Sequence, residues 1–299
     1  MQLTRNQATM VGCVAPLLWG LSVSIVRLIS VSVGIKAGLA LNYLLAFVLV
    51  FLIFRLPRFS RMPLKYCVFG LGSAITCSVT FAFALALADN GTQTMEVGML
   101  NYLWPALTIL FAVVFNGQRA RWWIWVGAAA AVYGIFMILS GSAAVDFSAM
   151  FRRMTENPAA YLLGFLAAVS WAAYSNFTTA WANGENPTTV IFGLDAVLFT
   201  TLWLISDQPA DFSLPGVLWV PACALVMGSA YGLWTYGVQK GSIAVMAIAS
   251  YFTPVLSCVF ASFLIGAQLT PAFWSGVFVV VLGSFLCWLA ISVPDRKEK

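Results

Sequence analysis

"NYLWPALTILFAVVFNG", from Asn101 to Gly117, and "SYFTPVLSCVFASFLIG", from Ser250 to Gly266, are two versions of one text. A shift of 149 residues places Tyr102 on Tyr251, Pro105 on Pro254, Phe111 on Phe260 and Gly117 on Gly266. The register runs on without a gap, setting Trp125 on Trp274, Gly127 on Gly276 and Gly134 on Gly283. Nearer the N-terminus, a shift of 152 pairs Gly12 with Gly164, Ala15 with Ala167 and Trp19 with Trp171. Apolar residues match by chance in any hydrophobic chain; proline, tryptophan and glycine matching in one register argue for a duplicated unit.

The unit is membranous. Of 299 residues, 62% are hydrophobic and 8% charged, with mean hydropathy +0.93. Soluble domains carry about 25% charged residues, so these charges cannot coat a water-facing surface. The reading is an all-α polytopic membrane protein, a single membrane domain over 1–299. Ten segments approach the ~20 apolar residues that a crossing needs: 9–28, 34–54, 65–88, 94–115, 121–140, 160–181, 188–206, 217–239, 243–265 and 271–292. Turn-forming stretches separate them, among them "RLPRFSRMP", "ADNGTQ", "NGQRAR", "NGENP", "SDQPADFSLP" and "QKGS". Repeat one covers about 9–140, an outer linker 141–158, and repeat two about 159–292. Five spans per copy is an odd number, so the second copy enters the membrane upside down, the plan of many secondary transporters.

Basic residues set the orientation. Eleven of them (Arg5, Arg55, Arg58, Arg61, Lys65, Arg119, Arg121, Lys240, Arg296, Lys297, Lys299) fall on the side of both termini, against Arg27, Lys36, Arg152 and Arg153 on the other. Both termini are therefore expected in the cytoplasm, with the first span uncleaved. The linker stretch "DFSAMFRRM" suits a short interfacial helix. The net charge of +5 reflects these loops and implies no nucleic-acid partner. The chain has no histidine and only scattered acids, which excludes histidine-based catalysis and a metal cluster. No cofactor is expected, no P-loop pattern occurs, and the six cysteines read as small hydrophobes.

Pro105 and Pro254 fall near the centres of spans four and nine. Each removes an intrahelical hydrogen bond, and carbonyls freed at membrane depth must face protein or a wet cavity. The pair reads as two hinges on a central path, or as two packing kinks. Most tryptophans lie near span ends, where interfacial anchoring accounts for them. Trp19, Trp104, Trp171 and Trp234 lie deeper; with Tyr102, Tyr174 and Tyr251 they either line a substrate cavity or fill space between helices. Asn42, Ser78 and Asn101 are the polar candidates beside them. Interhelical hydrogen bonding is their alternative role, as it is for Thr108 and Asn176. Two acids at depth, Glu96 and Asp195, are candidates for proton exchange. The alternatives are a solvated residue at a cavity mouth for Glu96 and a buried structural hydrogen bond for Asp195.

At "EVGMLNYLWPALTILFAVVFNG" and "SIAVMAIASYFTPVLSCVFASFLIG" the sequence resembles the drug/metabolite transporter superfamily in its EamA-type branch. The resemblance implies a ten-helix inner-membrane exporter of aromatic amino acids and tolerance of toxic cations such as methyl viologen. Many members carry Gly-Glu after the fourth helix of each repeat; here those places read Gly117-Gln118 and Gly266-Ala267, so any role of that glutamate does not transfer. The leading expectation is a monomeric secondary exporter of aromatic and other apolar amino acids, with a small-molecule substrate and the bilayer as its partners. A broad exporter of cationic drugs is the close rival; an intramembrane enzyme and a non-transporting scaffold are the distant ones.

Overall fold

The computed structural model describes residues 3–142, 144–206, 209–210, 212, 214–266 and 268–292. Arg296, Lys297 and Lys299, and part of the 206–215 turn, lie outside them. The first half holds α1 (Arg5–Gly12), α2 (Val14–Ser32), α3 (Ile35–Phe54), α4 (Gly72–Leu87), α5 (Gly91–Asn101), α6 (Trp104–Phe115) and α7 (Ile124–Ser140). The linker forms α8 (Phe147–Glu156). The second half holds α9 (Pro158–Trp181), α10 (Thr188–Leu204), α11 (Leu214–Lys240), α12 (Ile243–Ala249), α13 (Thr253–Ile265) and α14 (Pro271–Ala290).

Among the described residues, eight helical stretches, some made of two helices in line, are long and apolar enough to cross a membrane. Helices α7 and α10, the fifth and seventh expected spans, are apolar but have 17 residues each. At 1.5 Å per residue they reach about 26 Å, against ~30 Å of hydrocarbon. The chain is thus an all-helical, multi-pass membrane protein. One feature departs from pure helix: Arg119–Ala120 pairs antiparallel with Ile291–Ser292, tying the loop before α7 to the end of α14.

The helix ends follow their sequences. Thr4 caps α1 in a reciprocal capping box with Gln7, and Asn157 caps α9, with Pro158 in its first turn. Gly117 and Gly266, matched in the repeat, follow α6 and α13 in the left-handed conformation, at φ 65° and 68°, which glycine adopts without steric cost.

Large apolar residues such as Leu52, Phe263 and Phe285 stay exposed, while many buried positions are alanine. Apolar lipid gives large side chains no reason to turn inward, so close approach of small residues drives the packing. Helix α7 packs on α14, α3 on α10, α4 on α9, and α2 on α11 and α13. The α7–α14 crossing has no room for side chains at its glycines. A Cβ on Gly127 meets the Gly283 carbonyl oxygen at 2.7 Å, and one on Gly134 meets that of Gly276 at 2.7 Å. Elsewhere, a Cβ on Gly12 meets Met246 Cε at 2.5 Å, and one on its match Gly164 meets Val97 Cγ1 at 2.9 Å.

The basic loops meet one another on one face. The Glu185 side chain accepts from the Arg58 N–H at 2.9 Å and pairs with Arg61 at 3.6 Å, and its carbonyl accepts from Gln239 at 2.9 Å.

Because backbone atoms line the α7–α14 crossing, relaxation around a bulky residue is blocked. Gly134→Leu is expected to destabilise by ~1–3 kcal/mol or more and to lower the melting temperature in detergent. Gly141→Leu, at a position with nothing within 4 Å of its Cβ but φ of 65°, should cost only its backbone strain. Equal losses in the two variants would show that the crossing is not tight.

Candidate functional site

The two matched stretches break their helices. Helix α5 ends at Asn101, and the chain tightens as the Tyr102 N–H reaches the Gly98 carbonyl at 3.1 Å and the Leu103 N–H the Leu100 carbonyl at 3.1 Å. Helix α6 then starts at Trp104 with Pro105 in its first turn. In the second copy, a 3₁₀ turn over Ser250–Phe252 separates α12 from α13, whose first turn holds Pro254. The prolines are therefore not kinks inside continuous helices, as mid-span placement suggested. Each begins the second half of a two-piece span, where a missing N–H costs no intrahelical bond.

Trp104 lies at the first break and meets three other indoles. Trp19 comes from α2, Trp171 from α9 and Trp234 from α11. All six ring pairs among the four have centres between 5.2 and 6.3 Å apart, mostly edge to face. That geometry suits aromatic quadrupoles. Tyr231 packs on Trp19 and Trp171, at 5.5 and 5.3 Å, and Tyr174 on Trp171 at 5.1 Å. The four indoles and two tyrosines thus form one aromatic cluster, with its rings closed on one another.

Polar groups brace the cluster. Trp234 Nε1 donates to Ser175 Oγ at 3.1 Å, and the Tyr174 and Thr235 hydroxyls share a bond at 3.0 Å. Trp19 Nε1 is buried without a partner. One turn beyond Trp104, Asn176 Nδ2 donates to the Thr108 carbonyl at 3.1 Å, and its Oδ1 accepts from Asn116 Nδ2 at 2.7 Å. These bonds pin α6 to α9. They give Asn176 the interhelical role weighed for it, and they add Asn116, which reads in the sequence only as a turn residue.

Other candidates lie apart from the tryptophans. Asn42 contacts Met227 sulfur at 3.3 Å, between α3 and α11, with its Oδ1 unpartnered. Tyr251 is buried, and Tyr102 partly so, in the cluster around α7 and α14; the Tyr251 hydroxyl has no partner. Asn101 is partly buried at the end of α5. Ser78 Oγ donates to Asp195 Oδ2 at 3.1 Å, linking α4 to α10, while Asp195 Oδ1 is buried without a partner.

Glu96 is not a solvated residue at a cavity mouth. It is 5% exposed and accepts from Arg153 Nε at 3.0 and 3.1 Å, from Arg153 Nη2 and from the Tyr161 hydroxyl. It thereby joins α5, α8 and α9. The Glu96 hydrogen bonds hold the Arg153 guanidinium above its ordinary range, so that it stays charged.

Residues 7–140 and 158–289 each match the EamA-like transporter family. The chain is 38% identical to the aromatic amino acid exporter YddG of Salmonella typhimurium over 289 residues, 96% of this chain and 99% of that one. The YddG of Escherichia coli is 37% identical with the same coverage. The YddG of Ancylobacter novellus is 27% identical over 85% of this chain and 88% of its own. A crystal structure of a protein 25% identical superposes with a TM-score of 0.78, covering 96% of this chain and 99% of the other.

Arg153→Met leaves the Glu96 carboxylate buried without its cation. The loss should be about 1–3 kcal/mol, below the ~3–5 of a fully buried pair, because the Arg153 side chain is 26% exposed. Adding Glu96→Gln should restore part of that stability. Melting temperatures of both single variants and the double variant decide it: strict additivity would mean the pair contributes nothing.

Proposed function

The chain belongs to the EamA-like transporter family, and on that premise we propose that it exports aromatic and other apolar amino acids across the inner membrane by alternating access. The relatives it matches over nearly full length are aromatic amino acid exporters by name. The observation that carries the reading is the closed tetrad of Trp19, Trp104, Trp171 and Trp234, contributed by four helices and touching a broken span.

In this reading an indole or phenyl side chain enters the tetrad, exchanging ring–ring contacts among the walls for contacts with itself. Each favourable ring pair contributes about 0.5–1.5 kcal/mol. Trp19 Nε1, a buried donor without an acceptor, is suited to the carboxylate. The ammonium has a partner in the Asn101 carbonyl, because Pro105 has no N–H to donate to it. The matched carbonyl of Ser250 already accepts the Thr253 N–H. Tyr174 lies within reach of the tetrad, whereas Asn42, Ser78, Tyr102 and Tyr251 act through helices next to it.

Ten spans arranged as two inverted repeats are part of the proposal. Gly127 meets Gly283 while Gly134 meets Gly276, and the matches of Gly127 and Gly134 are Gly276 and Gly283. Residue i meeting the copy of j, and j the copy of i, is the reciprocity that a two-fold axis requires, and it supports this arrangement. The breaks at Tyr102–Leu103 and Ser250–Phe252 are the hinges of this scheme, with both termini cytoplasmic on the basic-residue bias. Between the two acids, Asp195 is the proton-exchange candidate, since Arg153 engages Glu96. Flat cationic drugs can stack on the same rings by cation–π attraction, but the four indoles themselves carry no acid to pair with them, and the relatives' names favour amino acids.

Uptake into inside-out vesicles tests the reading. The parent should accumulate tryptophan and phenylalanine. Trp19→Ala, Trp104→Ala or Trp171→Ala should cut kcat/KM for tryptophan on the order of ten-fold, with smaller losses for valine. Folded variants that keep the parent's aromatic preference would place the site elsewhere. In the same vesicles an imposed pH gradient should change the parent's rate, and Asp195→Asn should abolish that response; a parent indifferent to pH is a facilitator.

A further inference from the structure

A cavity of about 310 Å³ opens on the face of the basic loops, lined by Arg5, Asn116, Gln118, Thr179, Gln239, Lys240 and neighbouring backbone. Its volume is at the lower end of the ~300–1,000 Å³ typical of small-molecule sites. Among the described residues its lining holds two cations and no acid. The described residues form two ion pairs, Arg61–Glu185 and Arg153–Glu96, and neither Arg5 nor Lys240 takes part in them.

Both cations stand on a rigid frame. The Thr9 hydroxyl donates to the Arg5 carbonyl at 2.9 Å and accepts from the Ser242 N–H at 2.9 Å, so one side chain links the segments that carry Arg5 and Lys240. Glycines bring those segments together. A Cβ on Gly237 would meet Gly12 Cα at 2.7 Å, and one on Gly241 would meet Thr9 Oγ1 at 2.7 Å. The cavity also adjoins the aromatic tetrad. Val238, in its wall, belongs to the same apolar cluster as Trp234 and lies one turn, about 6 Å, from it along α11. Asn116, also in the wall, holds Asn176, which pins the helix that begins with Trp104.

We propose that this cavity is a loading site for the carboxylate of a zwitterionic amino acid, held between Arg5 and Lys240 before the side chain passes to the tryptophans. The proposal rests on export from the basic face, as read above. Positive charge without a counter-acid attracts a carboxylate and disfavours an amine that lacks one. The cavity is thus a selectivity filter acting ahead of the rings, which accept any flat aromatic group, cations included.

Tryptophan and tryptamine, which share an indole and differ by the carboxylate, are the probes. In inside-out vesicles the parent should prefer tryptophan. Each exposed charge contributes about 2- to 5-fold, the range of a partly solvated ion pair. Arg5→Gln with Lys240→Gln should therefore raise the KM for tryptophan roughly ten-fold, leave kcat within two-fold, and leave tryptamine unchanged or improved. Lys240→Arg should keep the parent's KM. An unchanged tryptophan-to-tryptamine ratio in the folded double variant, or a fall in kcat alone, overturns the loading site. Equilibrium binding of the two probes to purified protein gives a flux-independent answer: the double variant should lose tryptophan's advantage, and retention overturns the proposal. A parent that binds tryptophan selectively through these cations but moves none would sink the exporter reading and leave the site standing.

Discussion

A peptide group inside hydrocarbon has no water to bond with, and that constraint organises this molecule. A helix may break at membrane depth only where protein surrounds the break. Two of the described breaks, at Tyr102–Leu103 and at Ser250–Phe252, fall near the centres of their spans, and both lie among packed helices. The first presents Trp104 to Trp19, Trp171 and Trp234; the second is buried beside α7 and α14. Prolines in the first turn of each second half start those halves without needing an N–H, so the break is built rather than forced.

Depth was readable in the sequence, whereas direction around the helix was not. Counting along each span placed Trp19, Trp104 and Trp171 near span centres and Trp234 deeper than the interfacial anchors, toward the cytoplasmic half, and the four meet. The same counting grouped Tyr251 and Asn42 with them, yet Tyr251 faces α7 and α14, and Asn42 faces Met227. In a water-soluble helix an apolar stripe reveals the buried face. In a membrane both lipid and interior are apolar, so most of these helices carry no such stripe. Gly127, Gly134, Gly276 and Gly283 stood out in the sequence only as repeat matches, and it is the structure that packs them against one another where α7 crosses α14. The pairing of Glu96 with Arg153, 57 residues away, joins a span to the linker helix and depends wholly on the tertiary fold.

The two copies have also diverged where their roles differ. Trp104 matches Thr253, and Glu96 matches Val245. Only the first copy therefore supplies an indole at its break and an acid for the linker helix. The duplicated frame supplies tight glycine crossings, and single substitutions within it give each copy features that the other lacks.

The four indoles also form an optical element. Chromophores whose centres lie 5.2 to 6.3 Å apart share excitation, and their emission depends on the spacing and tilt of every pair. The other eight tryptophans sit outside this group. Light absorbed at the centre of the protein thus reports whether the walls are together or apart, and the molecule carries in its own side chains a gauge of its internal geometry.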